Sequence, residues 1–133
     1  MDVSRGVLAC ASVLNGNPKV TYETPAQCGA RAECADLAYS FAVAQHLTEE
    51  TLTSVLGLLH ARLRPAGLLL MHFSLVADGF PTEAAWRAGT SAVARTRARW
   101  GMSCFGRSGD EMERLLTAAG FREVMVEPLA GRT

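Results

Sequence analysis

The stretch that decides the fold is residues 35–75, which reads ADLAYSFAVAQHLTEETLTSVLGLLHARLRPAGLLLMHFSL. Its two ends, residues 35–42 and 68–75, are short apolar runs, which are typical of strands buried on both faces. The segment between them has the pattern of an amphipathic helix. A helix between two strands of this kind indicates a β-α-β unit in a parallel sheet, so the sequence predicts an α/β domain.

The helix at the centre of this stretch has clear start and stop signals. Thr48 can cap its amino end, and Glu49 and Glu50 occupy the first turn, where the helix dipole favours anions. Pro65 and Gly67 are expected to end it. One apolar stripe follows helical spacing and comprises Leu52, Val55, Leu56, Leu59 and Leu63.

The residues before this stretch predict one helix and one short strand. Residues 4–14 are expected to be helical, with Ser4 or Asp2 as the cap and the cluster at 15–18 as the stop. Residues 19–23 have the pattern of a strand, and a loop is predicted over 24–33.

The residues after it predict a second pair of elements. Ser108 and Glu111 form a capping box, which places a helix between them and Gly120, a residue suited to a left-handed terminator. Residues 121–127 alternate imperfectly and are expected to form a last strand.

Composition limits the classes of function. The chain has 133 residues, 49% of them apolar, and a formal net charge of zero, so a single domain over residues 1–133 is expected. The zero net charge gives no electrostatic argument for a nucleic-acid partner or an acidic membrane surface. The longest apolar run is too short to span a bilayer, and no secretory leader is recognised, so a cytoplasmic protein is predicted.

The cysteines point to the same compartment. Cys10, Cys28, Cys34 and Cys104 form no C-x-x-C pair, and no histidine lies at a zinc-finger spacing from them. Reduced thiols and no metal site are therefore expected. A disulfide between Cys28 and Cys34 stays open as an alternative.

Three segments, in this order, resemble one family. Residues 2–11 begin with Asp2-Val3-Ser4 and continue as a helix, residues 36–47 end in Gln45-His46-Leu47, and residues 63–70 read LRPAGLLL. Together they resemble the small-molecule group of class I S-adenosylmethionine (SAM)-dependent methyltransferases, and residues 108–121 add a weaker match. The resemblance implies a Rossmann-like sheet with helices on both faces. It also implies an incomplete domain, which lacks the family's first strand and the final antiparallel strand that would follow residues 121–127.

The resemblance assigns the cofactor SAM to residues near the carboxyl ends of the strands. Asp2 would accept the ribose hydroxyls and Val3 would pack on the adenine, whereas without the resemblance Asp2 is most simply a helix cap. Ser40 and Phe41 would contact the cofactor.

Acceptor binding falls on three residues by the same resemblance. Gln45 and His46 would line the acceptor site, and His46 is the candidate general base. The alternative for His46, weighed equally, is a histidine that bonds a loop carbonyl. Trp86 is a further acceptor contact, although a packing role in a surface helix is the ordinary explanation for it. His72 is expected to be a packed, hydrogen-bonded core histidine.

The chain departs from the family at several positions. It contains no G-x-G-x-G, so the amide cradle for the methionine part of the cofactor is missing. Ala26 stands near the position of the usual acidic residue, with Glu23 and Gln27 as possible substitutes. Ala66 replaces the first glycine of a usual pair. The chain by itself is therefore expected to be an inactive or impaired fragment that binds SAM weakly.

The sequence thus predicts methyl transfer from SAM to an oxygen, nitrogen or carbon of a small-molecule acceptor by the parent domain. The alternative is a non-catalytic, methyltransferase-like interaction module that a partner chain completes. A nicotinamide-dependent dehydrogenase fits less well, because the Tyr-x-x-x-Lys motif is absent. A missing central strand would leave unpaired backbone groups, so a homodimer through exposed sheet edges is expected.

Overall fold

The computed structural model describes residues 1, 4–28, 33–89, 96 and 103–128, which form a mixed α/β structure. A two-stranded parallel sheet lies beside the helices. No helix in these ranges is both long and apolar enough to cross a membrane. The helices and strands are α1 (Arg5–Asn15), α2 (Pro25–Cys28), β1 (Ala35–Ser40), α3 (Glu49–Arg62), β2 (Leu63–Met71), α4 (Glu83–Ala88) and α5 (Gly109–Ala118), with 3₁₀ turns at Ala44–His46 and Val76–Asp78.

The predicted β-α-β unit is confirmed. β1 and β2 pair in parallel, with Leu37 opposite Leu68 and Ser40 opposite Met71. α3 connects them, and its first turn is capped by Thr48, whose Oγ1 accepts the N–H of Thr51 at 3.3 Å. The local signals of the sequence were sufficient here because cap, apolar stripe and flanking strands all agree.

β2 begins earlier than predicted and is irregular near its start. Leu63 follows the last residue of α3 directly, so the helix ends before Pro65 is reached. Ala35 pairs with Leu63, but Leu37 pairs with Leu68, so β2 holds extra residues between these two points. Ala66 takes up the turn with a φ of 65°, as expected at a bulge.

The core lies on one face of the sheet, between β2, α3 and α5. Leu52 and Leu56 of α3 meet Met112 and Leu115 of α5, and all four are almost fully buried. Burying each such side chain contributes about 1.5–3 kcal/mol. The partly buried residues packed against this cluster are Leu47, Leu69, Met71, Phe73, Leu116, Ala119 and Phe121.

The expectation that both strands are buried on both faces was wrong. Alternate residues of β1 and β2 point away from α3, and the described helices cover only one face of the sheet. Tyr39 is 64% exposed and Leu68 is 68% exposed. We call this surface the open sheet face; it consists of Leu37, Tyr39, Phe41, Leu68 and Leu70.

The two predicted outer strands were also wrong. Residues 19–23 follow a turn in which Asn17 accepts the N–H groups of Lys19 and Val20, and they are not in a strand. Residues 121–127 leave α5 through Gly120, which has a φ of 101°, and continue as irregular chain. Within the described ranges, neither segment has a neighbouring strand to which its backbone could hydrogen-bond, and an apolar pattern alone does not make a strand.

The terminal helices agree with prediction. Ser4 caps α1 by accepting the N–H of Val7, and Gly16 ends it in a left-handed conformation. Ser108 caps α5 by accepting the N–H of Glu111 at 3.1 Å. The carboxylate of Glu111 lies 3.8 Å from Nε of Arg107 and forms an ion pair with this arginine.

Candidate binding site at the carboxyl edge of the sheet

The carboxyl ends of β1 and β2 meet at one edge and bring together several residues singled out from the sequence. The N–H of His72, just after β2, donates to the carbonyl of Ser40, the last residue of β1, at 2.8 Å. The ring of Phe41 stacks on His72 with centroids 4.6 Å apart. This edge is where open parallel sheets bind ligands.

Gln45 lies in the 3₁₀ turn that follows β1 and is only 7% exposed. Its carbonyl accepts the N–H of Phe105 at 2.7 Å, which fixes the turn against residues 103–107. Its side-chain Oε1 is buried and has no hydrogen-bond partner among the described residues. A buried acceptor in this state costs about 1–3 kcal/mol, which a ligand donor or a bound water would recover.

His72 has the same property, which corrects the expectation of a satisfied core histidine. Its Nδ1 is buried without a hydrogen-bond partner in the part of the chain that the structure describes. Gln45 and His72 therefore both present unpaired polar atoms near one end of the sheet. Neither atom is exposed to solvent, so a ligand would reach them after neighbouring side chains shift.

His46 is exposed and has a defined ring orientation. Its Nδ1 bonds the carbonyl oxygen of Ser103. Because a carbonyl can only accept, Nδ1 must hold the proton, and in the neutral ring Nε2 is then the acceptor. The bond to a loop carbonyl that was weighed against a catalytic role is present, and it leaves Nε2 in the state that a general base needs.

Trp86 lies in α4 and contacts the loop that supports the 3₁₀ turn. Its ring meets Phe105 edge to face, with centroids 5.3 Å apart, and Phe105 is 1% exposed. Trp86 is itself half-buried. Trp86 therefore makes a packing contact with Phe105, whose backbone N–H in turn bonds the carbonyl of Gln45.

Sequence reasoning missed Arg107, which holds the turn in place. This side chain is 2% exposed, and its Nη1 and Nη2 donate to the carbonyls of Ala44 and Leu47 at 2.8 and 2.6 Å. These carbonyls lie on either side of Gln45 and His46. The only signal in the sequence was an arginine immediately before the cap of α5, with Glu111 four residues later.

Gly106 was missed as well. Its N–H donates to the carbonyl of Pro81 at 2.9 Å, and a Cβ at this position would lie 2.8 Å from the carbonyl oxygen of Phe80. Only glycine allows the two backbone segments to approach so closely. The segment that supports His46 and Gln45 therefore depends on one glycine.

Glu83 supplies the clearest electrostatic feature near this edge. Its Oε2 accepts the N–H of Glu49, the first residue of α3, at 2.7 Å, and its Oε1 lies 2.6 Å from Nη2 of Arg87. Burial raises the pKa of the Glu83 carboxyl, but the Glu49 amide and the Arg87 guanidinium outweigh it and hold the pKa below its ordinary value.

The other residues that the sequence linked to the cofactor are Asp2, Val3, Gln27 and Glu23. Asp2 and Val3 lie outside the described residues. Gln27, a proposed substitute for the adenine-side acid, uses its Oε1 to accept the N–H of Thr24 at 2.9 Å. Glu23 lies 4.0 Å from Arg62.

One surface groove of the described residues lies elsewhere. It is open, has a volume of about 360 Å³ and is lined by Ala9, Cys10, Val13 and Leu14 of α1. None of the candidate site residues lines it. Across the described ranges, no group of three or more His, Cys, Asp or Glu side chains could hold a metal ion.

No family model matches the chain, and searches of curated proteins and of solved structures found no match either.

Proposed function

We propose that the chain is part of a class I methyltransferase domain, whose parent activity is methyl transfer from SAM to a small-molecule acceptor. The observation that supports it best is the parallel β1-α3-β2 unit with Phe41, Gln45, His46 and His72 beyond its carboxyl edge. The sequence resemblance places the cofactor and the acceptor at the same edge. A Rossmann-like sheet belongs to this proposal.

Methyl transfer from SAM does not require a covalent intermediate with the protein. Transfer of a methyl group from a sulfonium needs an acceptor held in line with the methyl carbon and shielded from water. Phe41 offers an aromatic surface for the adenine or the acceptor, and Nε2 of His46 can accept an acceptor proton. The unpaired Oε1 of Gln45 can receive a hydrogen bond from a ligand.

The test is an NMR titration of the chain with SAM and with S-adenosylhomocysteine. Binding is measured residue by residue from the changes in amide chemical shift. Weak binding is expected, with a dissociation constant on the order of 1 mM. The reason is that residues 1–133 contain no G-x-G-x-G loop whose amides could hold the methionine part of the cofactor. Shifts should be confined to residues 40–47 and 72–74. Absence of shifts at several millimolar, or shifts elsewhere, would overturn the proposal.

Two variants sharpen this titration. Phe41→Ala should abolish the shifts, whereas Met125→Ala, at an exposed position in the irregular carboxyl segment, should leave them unchanged. Micromolar binding by the unmodified chain would contradict the expected weakness and show that the amide cradle is not needed.

The open sheet face favours a second candidate, a non-catalytic module that associates with a second copy of this chain. Its side chains are 56–68% exposed, which corresponds to roughly 600 Å² of apolar surface per copy. Two such faces would bury about 1,200 Å² in total, which is the lower end of the range for stable protein interfaces. The homodimer through the sheet edges that the sequence predicts uses a different contact, which would give the same oligomeric state.

A further inference from the structure

The open sheet face and the candidate binding site share one side chain, that of Phe41. Tyr39 lies opposite Leu70 in the register of β1 and β2. The ring of Phe41 is within 15° of parallel to that of Tyr39, with centroids 6.4 Å apart, so both rings stand on the same face of the sheet. Phe41 also stacks on His72, at the carboxyl edge. It therefore belongs to the apolar face and to the candidate site.

The ring of Phe41 cannot serve both purposes at once. It is 56% exposed, so much of its surface is free to meet a partner. A ligand that stacks on it must lie in van der Waals contact with the ring. A dimer formed through the open sheet face would place a second protein surface in that space, and the core of such an interface excludes other molecules.

A second copy of this chain is the partner that the open sheet face suits. None of its five side chains is charged, so a two-fold contact of the face with itself brings no like charges together. Two sheets pack well face to face in this way. The area of about 1,200 Å² lies at the lower end for stable interfaces, next to the range of transient contacts, so a ligand can compete with it.

We propose that self-association through the open sheet face and ligand binding at the carboxyl edge are mutually exclusive, so that SAM or S-adenosylhomocysteine binds the monomer and separates the dimer. This competition rests on the proposed function, which supplies the ligand. A ligand that binds only the monomer weakens association, and association weakens ligand binding by the same coupling. The dimer is then an autoinhibited form whose site is covered.

The first measurement is sedimentation velocity of the unmodified chain with and without about 5 mM S-adenosylhomocysteine. With a ligand dissociation constant of about 1 mM, the apparent dimer dissociation constant should rise roughly 36-fold, because each of the two copies contributes a factor of about six. Val13→Lys, at an exposed position of α1, should respond like the unmodified chain. Association that the ligand leaves unchanged or strengthens would overturn the proposal, as would a chain that is monomeric at every concentration.

The second measurement is an NMR titration with S-adenosylhomocysteine at two protein concentrations, one below and one well above the dimer dissociation constant. For the unmodified chain, the free ligand concentration at half-saturation should be higher at the higher protein concentration. For Leu70→Lys it should be the same at both, since this exposed residue lies outside the candidate site and its replacement removes only association. Equal values for the unmodified chain would contradict the competition.

The Leu70→Lys variant also separates this inference from the proposed function. If it binds the ligand while the ligand leaves the association of the unmodified chain unchanged, the proposed function stands and the competition is wrong. If it binds no ligand at several millimolar, the proposed function is wrong and the competition falls with it. Should Leu70→Lys fail to fold, Leu68→Lys, which is 68% exposed on the same face, takes its place.

Discussion

Ala66 is a single residue whose side chain makes its backbone conformation strained. It adopts a φ of 65° in the irregular start of β2, at the position where the resembled family commonly has glycine. The left-handed conformation costs an L-residue about 1–2 kcal/mol, and glycine avoids this but loses about 0.5–1 kcal/mol in backbone entropy. Ala66→Gly should therefore raise the free energy of unfolding by about 0.5 kcal/mol in urea denaturation.

A matched substitution in regular strand tests this reasoning. Ala38→Gly, in β1, gains no relief of backbone strain and should lower the free energy of unfolding by about 0.5–1 kcal/mol. If both alanine-to-glycine changes destabilise the chain equally, the strain at Ala66 contributes nothing.

Arg107 gives a second prediction at this scale. Arg107→Met keeps much of the side-chain volume but leaves the carbonyls of Ala44 and Leu47 without their donors. We expect the free energy of unfolding to fall by about 2–4 kcal/mol, with faster amide exchange at Gln45 and His46. Arg114→Met is the control, since its ion pair with Glu49 is exposed and should contribute less than about 1 kcal/mol.

Among the elements, α3 depends on a carboxylate from another helix. Glu83 of α4 accepts the first N–H of α3, and its pKa in the folded protein lies below the ordinary value. The stabilisation is therefore fully present above the ordinary pKa and is lost as pH falls through the lower folded pKa. At pH 7 the free energy of unfolding should be larger for the unmodified chain than for the Glu83→Gln variant. This difference should shrink below about pH 4.

The measurement is a set of urea denaturation curves for both chains between pH 3 and 8. Subtracting one series from the other removes the carboxylates that the two chains share. A difference that stays constant across this range would show that the charge of Glu83 does not support α3.

Features of the helices and strands could be predicted from the sequence when they depend on residues close together in the chain. Ser4, Thr48 and Ser108 were recognised as caps because a cap bonds an amide two or three residues away. Burial of both faces of β1 and β2 was predicted wrongly, because it depends on what covers the sheet. Arg107 and Gly106 were missed for the same reason, since their partners are distant in the chain.

At the scale of the whole molecule, the open sheet face predicts self-association. Leu70→Lys places a charge in the middle of this apolar surface, whereas Val13→Lys changes an exposed apolar residue of α1. In sedimentation velocity, the unmodified chain and Val13→Lys should associate as concentration rises, and Leu70→Lys should stay monomeric. A monomeric unmodified chain at every concentration would contradict the homodimer proposed above.

The parallel pairing of β1 with β2 also has a consequence for the order of folding. Paired residues are separated by roughly 30 positions in the chain, and α3 lies between them. Helices form in about a microsecond, whereas distant strand pairing is slow. During synthesis, β1 therefore leaves the ribosome well before its partner and waits, with apolar side chains on both faces, until β2 has followed. That interval is when this chain would most need a chaperone.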